Sequence, residues 1–358
     1  MLFSAASMRL PFSRPLRGWS CLLSLTLLLA GSVPATPPKQ KLADPRQPKV
    51  ANRTAQTPEF ESLPLIRSNQ NQLLVRAYIN GKAAWLGVDS GAPVSAISVR
   101  RRDSFKLTPV TPSSNLPTRV QVNEGFSGVA IVKGFRLGNL NLVDQPVVTL
   151  DLDTTRSSRS GGPRMDGILG ADILFPLEAI LDCQAKTLTV KMNPDIPGRP
   201  PGLNYRGFSA IPMQMSEGSN LYVKATVNGT PAMLMVDTGA FATLLHRPFV
   251  RQLKIPTQRT RIVSAAINLK EKGVQVARIR RLTVGSVELK ERPVGVTDLS
   301  GLIKDSLLGG KPPVAGLLGG EILDRNHAII DFGTQTLYLK KDSKDSEQPE
   351  MRHPGQRR

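Results

Sequence analysis

Two short phrases carry the most specific chemistry in this chain. Residues 84–92 read Ala-Trp-Leu-Gly-Val-Asp-Ser-Gly-Ala, and residues 232–240 read Ala-Met-Leu-Met-Val-Asp-Thr-Gly-Ala. Each is an apolar stretch ending on one carboxylate, Asp89 or Asp237, followed by a hydroxyl residue and a glycine. A carboxylate held against a second one cannot ionise independently, so the two share a proton and titrate as a pair. The ionised member of such a pair can deprotonate a water while the protonated member polarises a carbonyl. Ser90 and Thr238 supply hydroxyls that can tie the two loops together. Gly91 and Gly239 permit tight turns and close backbone approach.

The sequence around each phrase makes the two carboxylates partners. Asp89 and Asp237 are 148 positions apart, and residues 73–81 match residues 221–229 at the same spacing. Further on, residues 167–174 (Gly-Ile-Leu-Gly-Ala-Asp-Ile-Leu) match residues 316–323 (Gly-Leu-Leu-Gly-Gly-Glu-Ile-Leu) at a spacing of 149. That spacing persists through Ala179/Ala328, Asp182/Asp331, Leu188/Leu337 and Lys191/Lys340. A period of this size is that of a domain rather than of a solenoid unit. The chain therefore reads as an internal duplication in which each copy contributes one Asp.

The elements that must position these residues read mostly as strands. Residues 73–79 and 83–88 flank Asn80-Gly81, a strong hairpin signal, and Asn228-Gly229 repeats it. Each Asp thus ends the second arm of a hairpin. Residues 134–142 and 278–289 are alternating segments with turns at Gly138-Asn139 and Gly285-Ser286. Helix signals are confined to short turns around 171–175 and 320–325. Residues 181–191 and 330–340 read as strand–turn–strand units closing each copy.

An Asp-Ser/Thr-Gly after an apolar strand, followed about 80 residues later by hydrophobic-hydrophobic-Gly, resembles the signature of retropepsin-like and pepsin-like aspartic proteases. Here the second element is Ile168-Leu169-Gly170 and Leu317-Leu318-Gly319. The resemblance covers roughly residues 62–192 and 209–340. It implies a mainly β fold: two tandem retropepsin-like β-barrel lobes related by a pseudo-twofold, in a pepsin-like bilobal arrangement. It also implies an aspartic endopeptidase that hydrolyses an extended peptide or protein substrate, with Asp89 and Asp237 catalytic. Ser90, Gly91, Thr238 and Gly239 support them, and no metal or cofactor is needed. The hydrophobic-hydrophobic-Gly strands would pack under the Asp loops. The alternative is a catalytically silent peptide-binding or scaffold protein on the same fold. Lobe pairing within one chain predicts a monomer, whereas pairing between chains would give a dimer.

This chain departs from the pepsin-like pattern at three places. The expected flap around residues 122–132 contains Phe126 and no Tyr, and its counterpart around 266–276 carries Lys270, Glu271 and Lys272. Ala92 and Ala240 follow the motif glycines, as in retropepsins, where pepsin-like motifs usually have Ser or Thr. Fewer hydrogen bonds to the charged form raise a carboxyl pKa. The expected pH optimum is therefore mildly acidic to neutral.

The flanks read differently. Arg9, Arg14 and Arg17 precede an apolar run over 21–30 and small residues at 33–35. That is the pattern of a signal peptide over 1–35, and the run falls short of the ~20 residues of a bilayer span. The expected organisation continues with a linker (36–60), a first lobe (61–192), a connector (193–208), a second lobe (209–340) and a polar tail (341–358). The protein is expected to be exported to the periplasm, cell envelope or medium, with no stable membrane span after cleavage. Without the leader, Cys183 is the sole cysteine, so no intrachain disulfide forms. It aligns with Phe332 and reads as a small buried hydrophobe. The net charge of +19 is spread along the chain without interleaved aromatics, which excludes a nucleic-acid module. His246, His327 and His353 form no metal-ligand pattern, and neither a nucleophile elbow nor a phosphate loop is present.

Overall fold

The computed structural model describes residues 49–50, 59–68, 71–110, 126–152, 163–193, 197–200, 202–216, 219–263, 273–300 and 314–340. The expected leader, most of the 36–60 linker and the tail lie outside the described residues.

Asn80 and Gly81 both take positive φ, 49° and 80°, and Asn228 and Gly229 repeat this at 51° and 86°. Two consecutive positive φ values make the turn whose twist matches that of the flanking strands. The hairpins run Leu73–Ile79 into Lys82–Val88 and Leu221–Val227 into Thr230–Val236. The second arm of each places its Asp immediately after its last residue. The alternating segments are longer than their sequence pattern suggested, pairing Phe126–Leu137 with Leu140–Leu150 and Gly273–Val284 with Val287–Thr297.

Each copy closes into a six-stranded barrel, and the protein is mainly β. In the first, the order is Leu73–Ile79, Lys82–Val88, Gly167–Leu169, Ala96–Ser98, Leu140–Leu150, Phe126–Leu137, which pairs back onto Leu73–Ile79. In the second it is Leu221–Val227, Thr230–Val236, Val314–Leu318, Leu244–His246, Val287–Thr297, Gly273–Val284, closing on Leu221–Val227. Inward residues such as Val75, Ile79, Leu86, Val88, Val223, Val227, Leu234 and Val236 are fully or almost fully buried. The strand Gly167–Leu169 runs parallel to the Asp-bearing strand and antiparallel to Ala96–Ser98. It is threaded so tightly that a Cβ on Gly167 would strike the Ala96 carbonyl oxygen, and one on Gly316 the Leu244 carbonyl oxygen. That explains the glycine opening each repeated block.

The segments read as closing each copy do something else. Ile180–Asp182 with Thr187–Lys191, and Ile329–Asp331 with Thr336–Leu339, do form strand–turn–strand units. They join one sheet shared by both halves, in the order Ser209–Pro212, Thr336–Leu339, Ile329–Asp331, Ile180–Asp182, Thr187–Lys191, Phe60–Arg67. At its centre Leu181 pairs with Ile330, its own counterpart in the duplication. The Cys183 amide donates to the Ala328 carbonyl and the Phe332 amide to the Ala179 carbonyl, both at 2.9 Å, a reciprocal pair across a pseudo-twofold axis. Because the barrels are already closed by their own strands, these hairpins are free to bury Leu181, Leu188, Val190, Ile330, Leu337 and Leu339 between the halves. Phe175 meets Phe332 edge-on at 5.3 Å across the same seam.

The short helices Ala171–Leu174 and Gly320–Arg325 fall where expected. Among the described residues the α-helix Arg247–Gln252 had no periodic signature because it is too short to show one. It carries Pro248 in its first turn and buries Phe249 and Val250. No helix among the described residues is long and apolar enough to cross a membrane.

Candidate active site

The parallel pairing brings each Asp to the same depth. The Asp89 amide donates to the Leu169 carbonyl and the Asp237 amide to the Leu318 carbonyl, both at 3.0 Å. The hydrophobic-hydrophobic-Gly strands therefore pin the start of each Asp loop from the side. Gly170 and Gly319 allow the chain to pass against the loops: a Cβ on Gly170 would sit 2.7 Å from the Val94 carbonyl carbon, and one on Gly319 would strike the Ala242 backbone.

All six residues expected in the site come together across the pseudo-twofold. The Thr238 hydroxyl donates to the Val88 carbonyl (2.7 Å) and accepts from the Ser90 amide (3.0 Å). The Ser90 hydroxyl donates to the Val236 carbonyl (2.8 Å) and accepts from the Thr238 amide (3.1 Å). Ser90 and Thr238 are buried, so these four bonds are shielded from water. The Ser at position 90 makes the same bonds as the Thr at 238, and the missing methyl costs no hydrogen bond.

The same symmetry faces each glycine toward the opposite carboxylate. A Cβ on Gly91 would lie 2.8 Å from Asp237 Cγ, and one on Gly239 would overlap the Asp89 carboxylate. The two carboxylates are thus brought to the axis from opposite sides, and both are almost completely buried, at 2% and 0% exposure. Asp89 Oδ1 accepts from the Gly91 amide at 2.9 Å. Asp237 Oδ1 accepts from the Gly239 and Ala240 amides at 2.9 and 3.0 Å. Ala240 lacks a side-chain donor, but its backbone amide takes that role. Its counterpart Ala92 instead donates to the Asp89 main-chain carbonyl at 3.3 Å. Burial raises the Asp89 carboxyl well above the ordinary carboxylate range, and the neighbouring Asp237 raises it further.

A second layer was not assigned from the sequence. The Ser95 amide and hydroxyl both donate to Asp172 Oδ1, at 2.8 and 2.7 Å, and the Ser95 hydroxyl accepts from the Gly170 amide at 3.0 Å. In the other copy the Thr243 amide donates to Glu321 Oε2 at 2.7 Å, and its hydroxyl accepts from the Gly319 amide at 3.0 Å. Each network ties the loop after the Asp to the turn after the hydrophobic-hydrophobic-Gly strand. Burial pushes the Asp172 carboxyl up to about 6, against the Ser95 bonds that lower it, and likewise raises Glu321. The signal was available: Ser95 and Thr243 stand 148 apart, and Asp172 and Glu321 149 apart, each with its chemical type kept.

Cys183 is buried, and burial pushes its thiol up to about 12, so it is an unreactive packing group. No cluster of His, Cys, Asp or Glu suited to a metal ion occurs among the described residues. The expected flap tips, residues 122–125 and 266–272, lie outside the described residues. At the flap base Thr108 and Pro109 pair with Ile131 and Ala130. A cavity of about 400 Å³ opens beside the Asp237 loop rather than over the carboxylates, lined by Ser68, Asn71, Phe241, Glu321, Asp324 and Arg325.

Two Asp-hydroxyl-Gly loops facing each other across a pseudo-twofold between six-stranded barrels define the class of the aspartic proteases. The chain belongs to the aspartyl protease family: the family model matches it twice, at residues 75–173 and 223–322, together more than half its length. Its fold is similar to that of an aspartic proteinase from Irpex lacteus, at 12% identity and a TM-score of 0.45, covering 79% of this chain and 98% of that one. It is also similar to Basic 7S globulin from soybean, at 11% identity and a TM-score of 0.43, covering 80% and 96%. A comparison with curated proteins found no match.

Proposed function

We propose that the protein is an aspartic endopeptidase that hydrolyses peptide bonds with a water activated between Asp89 and Asp237. The observation that carries this reading is the burial of both carboxylates at the axis, each against the glycine of the opposite loop. A pair that shares one proton holds a base and an acid in the same site. The base takes a proton from the water as its oxygen attacks the scissile carbonyl carbon. The acid donates to the carbonyl oxygen as the tetrahedral intermediate forms. The proton acquired by the base then passes to the leaving amine as the C–N bond breaks, and the hydroxyl made from the carbonyl oxygen returns its proton to the other carboxylate as the C=O bond re-forms, which restores the pair. The reciprocal Ser90–Thr238 bonds keep the carboxylates from separating, so little reorganisation is needed in the reaction. Because both halves of the site lie on one chain, the working unit is a monomer with an extended peptide as substrate. The leader pattern over 1–35 supports export.

The test is digestion of an unfolded protein from about pH 3 to 8, with and without pepstatin, by the wild type and by Asp89→Asn. Pepstatin-sensitive cleavage lost in Asp89→Asn supports the proposal. No cleavage at any pH, with Asp89→Asn indistinguishable from wild type, leaves a silent peptide-binding protein as the better reading.

A further inference from the structure

The two copies build one turn identically and then use it differently. Between the strands Phe60–Arg67 and Leu73–Ile79, the Ser68 amide donates to the Gln72 carbonyl, the Asn71 amide to the Ser68 carbonyl and the Gln72 amide to the Ser68 hydroxyl. In the second copy Ser216, Ser219 and Asn220 repeat all three bonds. Asn71 and Ser219 both sit at φ 61°, in the left-handed region. The turn itself is therefore a shared feature of the duplication.

The side chains on it are not shared. Arg67 donates from Nη1 to the Asn71 carbonyl (3.1 Å) and to Asn71 Oδ1 (2.8 Å). From Nη2 it donates to the Cys183 carbonyl (3.1 Å) and to Asp324 Oδ1 (2.6 Å). Asp324 lies on the helix Gly320–Arg325 of the second copy, so Arg67 spans the seam. By holding Asn71 Oδ1, Arg67 fixes which way the amide points. Its Nδ2 then donates to the Phe241 carbonyl at 3.4 Å and lies against Gly320, where a Cβ would come within 3.0 Å of it. Phe241 is only four residues past Asp237 and is 61% exposed. Within its own half this stretch is held by the Gly320 amide, which donates to the Ala240 carbonyl at 2.9 Å, and by Ala240 packed against the core; at Phe241 the backbone is held from the other half of the molecule as well. Under the duplication, Arg67, Asn71, Phe241, Gly320 and Asp324 correspond to Met215, Ser219, Pro93, Ala171 and Phe175. Met215 and Phe175 have no charge with which to form the ion pair, so the first loop receives no such strut.

We infer that Asn71, oriented by Arg67 and Asp324, is a positioning residue that fixes the Asp237 loop from the opposite half, making the two Asp loops mechanically unequal. The inference rests on the proposed peptidase reading for its kinetic consequence alone. Asn71 touches no reacting atom. It acts through the backbone of residues 240–241, where the Ala240 amide donates to the Asp237 carboxylate.

The test compares Asn71→Gly with Ser219→Gly. Glycine accepts φ 61° without strain, so both variants keep the turn and remove only the side chain. Asn71→Gly is expected to lower kcat for peptide hydrolysis by about tenfold with KM nearly unchanged, the mark of a group needed for alignment rather than for binding. Arg67→Met, which installs the other copy's residue, should do the same, and Ser219→Gly should change neither constant. Amide hydrogen exchange supplies a readout independent of activity. It should accelerate over residues 239–243 and not over 91–95 in Asn71→Gly. Equal effects of the two glycine variants on kcat, or equal acceleration in both loops, would overturn the inference. If the wild type cleaves no peptide, the functional reading fails, and the exchange contrast alone decides the strut.

Discussion

Ser90 and Thr238 hold each other: the amide of each donates to the hydroxyl of the other, at 3.0 and 3.1 Å, and each hydroxyl donates onward to the strand preceding its partner. Neither loop can shift without breaking bonds that belong to both. The carboxylates that follow those strands are therefore placed by a joint that spans the two barrels, not by either barrel alone.

That joint sets the first prediction. Thr238→Val keeps the shape and leaves the Ser90 amide and the Val88 carbonyl buried without partners. At about 1–3 kcal/mol for each unsatisfied group, the variant should lose roughly 2–6 kcal/mol in urea unfolding. Thr238→Ser, which keeps both bonds, should lose less than about 1.5 kcal/mol, the transfer and cavity cost of one methyl.

Replacing either carboxylate isolates the chemistry. Asp89→Asn and Asp237→Asn should each reduce peptide hydrolysis at least ~10³-fold, because no shared proton is left to supply both acid and base. Neither should greatly destabilise the protein at neutral pH, since Asn keeps the size of Asp and an oxygen that can accept the loop amide bonds. Hydrolysis assays paired with thermal melts separate the two effects.

The raised Asp89 pKa fixes the sign of a pH effect on stability. A carboxyl whose folded pKa exceeds its unfolded value of about 3.8 binds its proton more tightly when folded. Its contribution is fully present below that unfolded value and is lost as pH rises through the folded pKa. Melting temperature should therefore fall for this group as pH increases from about 4 toward neutrality, and the fall should be smaller in Asp89→Asn. In the proposed peptidase reaction the same proton is needed, so activity should decline on the alkaline side and peak at mildly acidic to neutral pH. A rate profile peaking well below about pH 3 would contradict this.

Gly239→Ala offers a more local perturbation. Its Cβ would overlap the Asp89 carboxylate across the axis, while the backbone there needs no positive φ. The variant should stay folded but lose about 1–3 kcal/mol in urea unfolding, the cost of overpacking a buried site, and should lose most of its peptide hydrolysis. Wild-type activity in Gly239→Ala would mean that the carboxylate is not held where the structure places it.

Much of this arrangement was legible in the sequence because duplication writes each feature twice. The Asn-Gly turns, the Asp loops and the Gly-hydrophobic-hydrophobic-Gly blocks are local, and backbone geometry dictates their residue types. The Ser95–Asp172 and Thr243–Glu321 networks were present as a matched spacing but had no local signature, since their partners lie about 77 residues apart. The strut from Arg67 through Asn71 to Phe241 was invisible to the repeat for the opposite reason: it exists in only one copy.

By itself, then, the sequence determined that two similar β-rich halves each present one carboxylate on a hydroxyl-Gly turn. Strand periodicity and turn chemistry act over a few residues and are recorded there. Only the tertiary structure decided that the closing hairpins leave their own barrels to form a shared sheet, with Leu181 against Ile330 on the axis. It also decided that one half braces the other's loop and not the reverse. Those outcomes depend on which apolar faces remain uncovered after each barrel closes and on bonds between residues up to 257 positions apart, which no local pattern encodes.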